Sequence, residues 1–208
     1  MEVLGPMYIY LVRHGETDWN NKFLFQGQTD IPLNKTGLMQ ARAIAKEFKH
    51  RKIDAIISSD LKRAYQTAYE IKKATGLKAR IHKMKTLRER NYGNLEGTTY
   101  DRYHSQKKGF TGEKDPAFFA RLNKAFMQVV KKYKGKDIVL VAHGGVVRQI
   151  VSFVIGLKDY KRLRIYNASL SEVFYDSKRG AFFLLLLNSV SHLPKKERNK
   201  ILYHIKGV

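Results

Sequence analysis

The sequence contains no cysteine among its 208 residues. Disulfide bonds and thiolate metal sites are therefore excluded. It also lacks a long hydrophobic run, because the longest one, from Ala181 to Leu187, is far shorter than the ~20 residues of a membrane helix. The first six residues show no basic start followed by an apolar stretch. We therefore expect no signal peptide, no membrane association and a cytoplasmic location.

Acidic residues are scarce. The chain has 18 Asp and Glu against 40 Lys and Arg, which gives a net charge of +22. Such a field attracts anions, including phosphate esters and nucleic acids. The alternative is that the charge only forms a solvated surface, in a lineage whose proteins are generally rich in lysine. Apolar residues make up 43% of the chain, enough for a folded core, and the length fits a single domain over residues 1–208.

Strand and helix patterns alternate along the chain, which indicates a layered α/β domain. We predict a three-layer α/β/α sandwich around a mostly parallel sheet. A polar segment at 98–114 is predicted to be a loop excursion. Predicted strands cover 8–12, 55–57, 79–81 and 138–142, with a hairpin of 172–175 and 182–187. Predicted helices cover 36–49, 61–75 capped by Ser59 or Asp60, 116–133 capped by Asp115, 146–155, and the tail after Pro194.

Two of the predicted strands end in a histidine. The first strand runs into Arg13-His14-Gly15, and a later one runs into His143-Gly144-Gly145. Ligands of open α/β sheets bind at the carboxyl ends of the strands, so we expect the two histidines to meet. Arg63 lies one turn into a helix at the same edge.

These residue types suit a phosphoryl group. The guanidinium groups of Arg13 and Arg63 can each bind two phosphate oxygens. Backbone N–H groups at the helix that begins near Gly144 add further donors. A neutral His14 can attack phosphorus and form a phosphohistidine, while a protonated His143 would stabilise the charge of the phosphoryl oxygens.

The leaving alkoxide needs a proton, and Glu89 is our candidate for the acid. A surface carboxylate paired with Arg88 or Arg90 is the alternative reading of Glu89. Likewise, Gln26 and Gly27 could be simple turn residues, and Tyr92 could belong to the core.

Arg13-His14-Gly15-Glu16-Thr17 with Asn20 resembles the signature of the histidine phosphatase superfamily, also called phosphoglycerate-mutase-like. The resemblance covers roughly residues 8 to 190. Further segments are similar to the family in the expected order: Phe25-Gln26-Gly27, Pro32 to Gly37, Ser58 to Ala68, Leu87 to Gly97 and Ala142 to Gly145.

The resemblance implies a phosphoglycerate-mutase-like fold and a role for each matching residue. It implies that His14 is the nucleophile and Glu89 the proton donor, with no metal and no cofactor. The implied phosphate pocket consists of Arg13, Arg63 and His143, and the implied substrate rim of Asn20, Gln26, Gly27, Tyr92 and Gly144.

The resemblance leaves the reaction open between hydrolysis and a mutase. Many members carry a longer insertion after the position of Gly97, with a Gly-Glu-Ser or Gly-Glu-Thr element. Here only Gly112-Glu113-Lys114 remains. A short lid leaves the site open to water, so we expect a phosphomonoester hydrolase acting on a small phosphorylated metabolite. A phosphoglycerate mutase is the alternative.

Two other classes of protein are also compatible with parts of the sequence. The first is a basic nucleic-acid-binding protein, supported by net charge and by the tail from Lys195 to Lys206, although recognised motifs are absent. Nonspecific nucleic-acid binding is also compatible with a phosphatase. The second is an inactive, ligand-binding regulator, which the complete set of site residues disfavours. The oligomeric state stays open, and a dimer is compatible with the sequence.

Overall fold

The computed structural model describes residues 6–99 and 109–206, with side chains as far as Ile201. The strands are β1 (Met7–Arg13), β2 (Ala55–Ser58), β3 (His82–Lys83), β4 (Ile138–Ala142), β5 (Leu170–Asp176) and β6 (Ala181–Ser189). The helices are α1 (Asp18–Asn21), α2 (Lys35–Lys46), α3 (Lys62–Thr75), α4 (Asp115–Lys132), α5 (Gly144–Ile155) and α6 (Lys195–Lys206). Short 3₁₀ turns lie at Lys85–Leu87, Gly93–Leu95 and Tyr160–Arg162.

All six strands form one mixed sheet in the order β3-β2-β4-β1-β5-β6. The pairs β1–β4, β2–β4 and β2–β3 are parallel, whereas β1–β5 and β5–β6 are antiparallel. The carboxyl ends of β1 to β4 therefore meet at one edge of the sheet. This confirms the predicted α/β class and the parallel centre.

Helices cover both faces of the sheet because successive strand residues point to opposite sides. In β1, Ile9 and Leu11 pack against α4 and α5. Tyr10 and Val12 pack on the other face, against α2 and α3. Every residue of β4 is buried, as expected for a strand with helices on both sides. The result is the predicted three-layer arrangement.

The third strand was predicted too early in the chain. The segment predicted at 79–81 precedes the observed strand, His82–Lys83, which pairs with Ile57 and Ser58 at the end of β2. Its position is set by this pairing with β2, which the local residue pattern does not reveal.

The predicted helix caps were also wrong at two places. Leu61, and neither Ser59 nor Asp60, occupies the cap position of α3. Lys114 is the cap residue of α4, and Asp115 is the first helical residue. In both cases the acidic side chain is used elsewhere, because Asp60 and Asp115 form ion pairs with arginines near the site.

Other boundaries differ by a few residues. Helix α2 ends at Lys46 rather than near Lys49, and α5 begins at Gly144 rather than Val146. The short α1 was not predicted at all. The hairpin and the tail helix after Pro194 are confirmed. Much of the predicted loop excursion, residues 100–108, lies outside the described residues.

Candidate active site

His14 follows β1 directly, at the edge where the parallel strands end. Its backbone N–H donates to the Ala142 carbonyl at 2.9 Å, and its own carbonyl accepts from the Ala168 N–H at 3.1 Å. The side-chain amide of Asn167 donates to the same carbonyl at 3.2 Å. These bonds fix His14 to β4 on one side and to the segment before β5 on the other, and its side chain is only 3% exposed.

The ring of His14 is held in one tautomer. Its Nδ1 lies 2.6 Å from the carbonyl oxygen of Gly15. A carbonyl oxygen can only accept, so Nδ1 carries the proton and Nε2 keeps its lone pair. Burial, and then the charges of Arg63 and Arg13, lower the pKa of His14 well below its usual range. The imidazole is therefore neutral at neutral pH, which is the state that attacks phosphorus.

The loop after β1 packs directly on the backbone of α2. A Cβ on Gly15 would overlap the carbonyl oxygen of Gly37, and a Cβ on Gly37 would overlap the carbonyl oxygen of Glu16. The Glu16 N–H donates to the Gln40 side chain at 2.9 Å. Gln40 donates in turn to the buried Glu197 of α6 at 3.3 Å. The loop is thus linked through α2 to the tail helix.

Arg63, in the first turn of α3, is completely buried. Its Nη1 donates to the Thr29 carbonyl at 2.8 Å and its Nη2 to the Gly27 carbonyl at 2.7 Å. Its Nε donates to Nδ1 of His143 at 3.2 Å. Burial lowers the pKa of Arg63 to about 10, so the side chain stays cationic at neutral pH. Three contacts fix the plane of the guanidinium in the site.

His143 follows β4 and meets His14 as predicted, with ring centroids 5.2 Å apart. Its Nδ1 accepts from Arg63, and its Nε2 lies 2.9 Å from Oγ of Ser59. Burial and then the charge of Arg63 lower the pKa of His143 well below its usual range. The sequence suggested a cationic His143, whereas the structure shows a neutral ring that orients Arg63.

Arg13 and Gly144 lie next to the two histidines. Nη1 of Arg13 donates to the Ile165 carbonyl at 2.5 Å. Gly144 is the first residue of α5, and a Cβ there would lie 3.2 Å from Nε of Arg13. The glycine therefore lets the start of the helix approach the guanidinium closely.

Glu89 faces the same helix start. Its Oε2 accepts from the Gly145 N–H at 2.9 Å, and its Oε1 accepts from the Arg90 N–H at 2.9 Å. A Cβ on Gly145 would overlap the carboxylate. The free N–H groups at a helix start favour a carboxyl group at this place.

The alternative for Glu89 was a surface carboxylate paired with Arg88 or Arg90. Neither ion pair is present among the described residues. Arg88 forms a two-bond pair with Asp60, at 2.7 and 2.6 Å. Arg90 pairs with Asp115 at 2.5 Å. Both arginines beside Glu89 are therefore committed to other carboxylates, and Glu89 lines the cavity instead.

Glu96 is an organising residue that the sequence reasoning missed. Its Oε1 accepts from the N–H groups of Gln28 and Tyr92, at 2.9 and 3.1 Å. Its Oε2 accepts from the Thr29 N–H at 2.9 Å and from the Thr29 hydroxyl at 2.5 Å. These bonds hold the segment from Gly27 to Thr29, whose Gly27 and Thr29 carbonyl oxygens accept from Arg63. The only signal for Glu96 was its place in the family-like segment that ends at Gly97.

The five residues predicted for the substrate rim all line the cavity. Asn20 completes a capping box with Thr17 at the start of α1, and its side-chain oxygen Oδ1 accepts from the Thr17 N–H at 3.1 Å. Gln26 is 8% exposed, and its Oε1 has no hydrogen-bond partner within the described residues. The Tyr92 ring lies against Phe25, with centroids 4.7 Å apart. Gly27 has a φ of +51°, which suits glycine.

These side chains surround a cavity of about 140 Å³. His143 is not among the lining residues. The predicted residues that line it are Arg13, His14, Asn20, Gln26, Gly27, Arg63, Glu89, Tyr92 and Gly144.

Five further residues line the cavity. Phe25 and Gly145 were named only within family-like segments, and the sequence reasoning missed Phe118, Arg148 and Tyr160 altogether. Helical spacing could have found Arg148, because it follows Gly144 and Gly145 by one turn of α5 and shares their face. Phe118 and Tyr160 come from other elements, and no local pattern connects them to the site.

Features that would indicate other functions are absent from the described parts of the chain. No group of three or more His, Asp or Glu side chains in residues 6–99 and 109–206 is arranged to hold a metal ion. No helix in these ranges is long and apolar enough to cross a bilayer. The basic tail helix packs on the domain through the buried Glu197 and the partly buried Ile201. Nucleic-acid binding stays a prediction from net charge.

Comparison with known proteins gives a consistent result. Residues 9–188 match the family model of the histidine phosphatase superfamily (branch 1). A Hydrogenobacter thermophilus protein provisionally named phosphoserine phosphatase 2 is 32% identical over 200 residues, covering 88% of this chain and 96% of the relative. An Enterobacter protein provisionally named phosphoglycerate mutase GpmB is 32% identical over 206 residues, covering 90% and 95%.

Solved structures agree with this. YhfR from Bacillus stearothermophilus superposes with a TM-score of 0.82 at 26% identity, covering 89% of this chain and 98% of the other. A histidine-to-alanine variant of the Entamoeba histolytica phosphoserine phosphatase, in complex with phosphoserine, superposes with a TM-score of 0.77 at 27% identity, covering 90% and 100%.

Proposed function

Because this chain belongs to the histidine phosphatase superfamily, we propose that it hydrolyses small phosphomonoesters through a phosphohistidine at His14, without a metal ion. The observation that carries the proposal is the neutral His14 ring, whose Nδ1–H is bonded to the Gly15 carbonyl so that Nε2 is the nucleophilic atom. His14 lines a cavity that Arg13 and Arg63 also line.

In the first step, Nε2 of His14 forms a bond to phosphorus as the bond from phosphorus to the ester oxygen breaks. Arg13 and Arg63 balance the negative charge of the phosphoryl oxygens, and the N–H groups at the start of α5 add donors. A protonated Glu89 gives its proton to the leaving oxygen, which departs as an alcohol.

In the second step, water replaces the alcohol. The Glu89 carboxylate takes a proton from the water as its oxygen bonds to phosphorus, and the bond from phosphorus to Nε2 breaks. Inorganic phosphate leaves, and Glu89 regains its proton for the next cycle. His143 acts indirectly by orienting Arg63 through the 3.2 Å hydrogen bond.

The substrate class is proposed to be small. The cavity of about 140 Å³ favours a small ester over a large one. The Entamoeba relative of this fold was solved with phosphoserine, a small phosphomonoester. A phosphoglycerate mutase is the second candidate because a relative of 32% identity carries that name.

The first experiment is phosphate release from an aryl phosphate in the presence of a chelator. Wild type should turn over, and His14→Ala should lose activity by about 10⁴-fold or more, because the covalent step is removed. The control is His50→Ala, an exposed histidine, which should keep full activity. A phosphoryl adduct that is stable to base and labile to acid should accumulate on wild type and be absent from His14→Ala.

Two results would contradict the proposal. Full activity in a folded His14→Ala variant would remove the nucleophile assignment, and loss of wild-type turnover with chelator would remove the metal-free mechanism. Exchange of 2-phosphoglycerate and 3-phosphoglycerate without phosphate release would identify a mutase.

A further inference from the structure

The chain continues beyond the part that matches the family model. The match ends at residue 188, and a turn and helix α6 follow it. We call residues 189–201, whose side chains the structure describes, the C-terminal segment. None of them lines the cavity, and the proposed reaction uses none of them. Two of their side chains nevertheless reach the backbone around His14.

The first of these side chains is His192. Its Nε2 lies 2.8 Å from the carbonyl oxygen of Ala168. A carbonyl oxygen can only accept, so Nε2 carries the proton and donates. Burial lowers the pKa of His192, and the ring is therefore neutral at neutral pH. The N–H of the same Ala168 donates to the His14 carbonyl at 3.1 Å. His192 thus contacts the residue that supports the carbonyl of His14.

Ala168 has a backbone conformation that needs such support. It is completely buried, with a φ of +53°. This left-handed conformation is unfavourable for a residue with a Cβ and persists only where the surrounding contacts hold it. The bonds from Ala168 to His14 and from His192 to Ala168 are two such contacts. Loss of the His192 bond would free the Ala168 carbonyl to turn, and its N–H would then hold His14 less firmly.

The second side chain is Glu197, which acts through Gln40 of α2. Both residues are buried, at 9% and 4% exposure. Nε2 of Gln40 donates to Oε2 of Glu197 at 3.3 Å, and its Oε1 accepts from the Glu16 N–H at 2.9 Å. A reversed amide would place its oxygen against the carboxylate and its NH₂ group against the N–H. Glu197 therefore sets which atom of Gln40 faces the loop.

The two contacts meet the loop on either side of Gly15. One ends at the His14 carbonyl and the other at the Glu16 N–H. The Gly15 carbonyl between them is the group that accepts from Nδ1 of His14. The C-terminal segment is therefore bonded, through one intermediate residue on each side, to the peptides that flank the acceptor of the His14 ring.

Apolar packing holds the C-terminal segment in place. Leu193 is 2% exposed, and both Leu193 and Ile201 pack against the core on the side of α2 and α3. These contacts bury apolar surface and do not involve the His192 or Glu197 hydrogen bonds. The segment can therefore stay docked when one of these polar groups is replaced.

We propose that the C-terminal segment is a positioning element for the nucleophile, which it holds through His192 and Glu197. The two residues act through Ala168 and Gln40 and touch no reacting group. They fix the peptides around Gly15, and with them the direction in which Nε2 of His14 points. Phosphoryl transfer requires in-line attack, so a small rotation of the ring costs rate. The effect on rate rests on the proposed function, whereas the effect on the loop can be measured without turnover.

The kinetic test replaces Glu197. Glu197→Leu removes the acceptor of Gln40, and we expect kcat to fall by about 10- to 100-fold. The inhibition constant of inorganic phosphate should change less than about twofold, because Arg63 is held by other contacts. Glu197→Gln should recover most of the rate, since its amide oxygen still accepts from Gln40. His192→Phe keeps a ring but no donor, and it should lower kcat in the same way.

Lys200→Met is the matched control within α6. Lys200 is 54% exposed and pairs with Glu197 at 2.8 Å. Its loss leaves the bond from Gln40 to Glu197 in place and should change kcat less than about twofold. A double variant tests the path. Gln40→Leu and Glu197→Leu break the same chain of bonds, so together they should cost no more than Gln40→Leu alone. Losses that multiply would overturn the link through Gln40.

Amide hydrogen exchange measured by NMR reports on the loop without substrate. In Glu197→Leu, the Glu16 N–H should exchange about tenfold faster or more, while the Leu11 N–H in the centre of β1 should keep its wild-type rate. Equal acceleration at both amides would show general destabilisation and overturn the inference.

The same measurements separate this inference from the proposed function. If Glu16 exchange and kcat are both unchanged in Glu197→Leu while wild type releases phosphate, the inference fails and the phosphatase stands. If Glu16 exchange responds as expected and wild type releases no phosphate, the positioning of the loop stands and the phosphatase fails.

Discussion

The two ends of the cavity are built differently. The phosphate end consists of Arg13, His14, Arg63 and Gly144, and each lies at a strand end or in the first turn of the helix that follows. The outer end consists of Tyr92, Phe118, Arg148 and Tyr160, which come from two helices, a loop and a 3₁₀ turn.

Their hydrogen bonding differs in the same way. At the phosphate end, His14 is bonded through its own backbone to β4 and to the segment before β5, and Arg63 has three protein acceptors. At the outer end, Arg148 has no hydrogen bond in the described residues. In the proposed reaction, the phosphoryl group therefore meets a preorganised set of side chains, whereas the alcohol meets residues with fewer hydrogen bonds to the rest of the protein.

Replacement of Arg63 is the most sensitive test of this difference between the two ends of the cavity. Arg63→Met keeps a side chain of similar size but removes the charged guanidinium and its N–H donors. We therefore expect kcat/KM to fall by about 100- to 1,000-fold on every phosphomonoester, as for other charge-stabilising donors. Arg63→Lys should recover little, because an ammonium cannot reproduce three fixed contacts. The measurement is steady-state kinetics on aryl and alkyl esters, with melting curves to confirm folding.

Arg42→Met is the control for Arg63→Met. Arg42 is a 66% exposed arginine on α2 that contacts Glu70, and its loss should change kcat/KM less than about twofold. If Arg63→Met keeps more than half of the wild-type activity, the phosphate end is not the preorganised region that its hydrogen bonding indicates.

Glu89 stands between the two ends, and its effect should depend on the leaving group. Glu89→Gln keeps an acceptor oxygen but cannot donate a proton to the alkoxide. We expect a loss of about 100-fold on alkyl phosphates, and a much smaller loss on aryl phosphates with good leaving groups. Equal losses on both ester types would show that Glu89 acts only through its bond to Gly145.

The last prediction concerns stability against pH, and it belongs to the phosphate end. Burial lowers the pKa of both His14 and His143 in the folded protein. The unfolded chain therefore binds more protons below about pH 6.5, the ordinary histidine pKa. This contribution to the free energy of unfolding is complete above that pH and is lost as pH falls toward the folded-state pKa values.

The slope should be about 1.4 kcal/mol per pH unit for each histidine in that window. Denaturant titrations of wild type and His143→Asn between pH 7 and 5 would measure it, and the variant should show the shallower decline. A wild-type stability that stays level or rises on acidification would be inconsistent with neutral buried histidines.

The phosphate end could be predicted from the sequence because its residues adjoin regular patterns. His14 and His143 each follow directly after a strand that contains β-branched residues. Arg63 lies in the first turn of the helix that follows β2. Parallel strands bring such positions to one edge, so local reading was sufficient. The sheet class and the two helix layers followed from the same periodicity.

The rest depends on contacts between distant segments. Glu96 acts on residues 27–29, and Tyr160 meets α4 through Asp115 and Phe119. The low pKa of His143 depends on the burial of its side chain. The extent of this burial cannot be read from a single sequence. The caps predicted at Ser59 or Asp60 and at Asp115 are not observed, and the carboxylates of Asp60 and Asp115 pair instead with arginines elsewhere in the sequence.

The bonds that hold His14 also set the order in which activity can arise during synthesis. The ribosome delivers His14 long before Ala142 and Ala168, and Asn167 follows it by 153 positions. A nascent chain that ends within β4 contains His14 but neither of its backbone supports nor the start of α5. We therefore expect the proposed phosphoryl transfer to begin only when β4 and β5 have both joined β1.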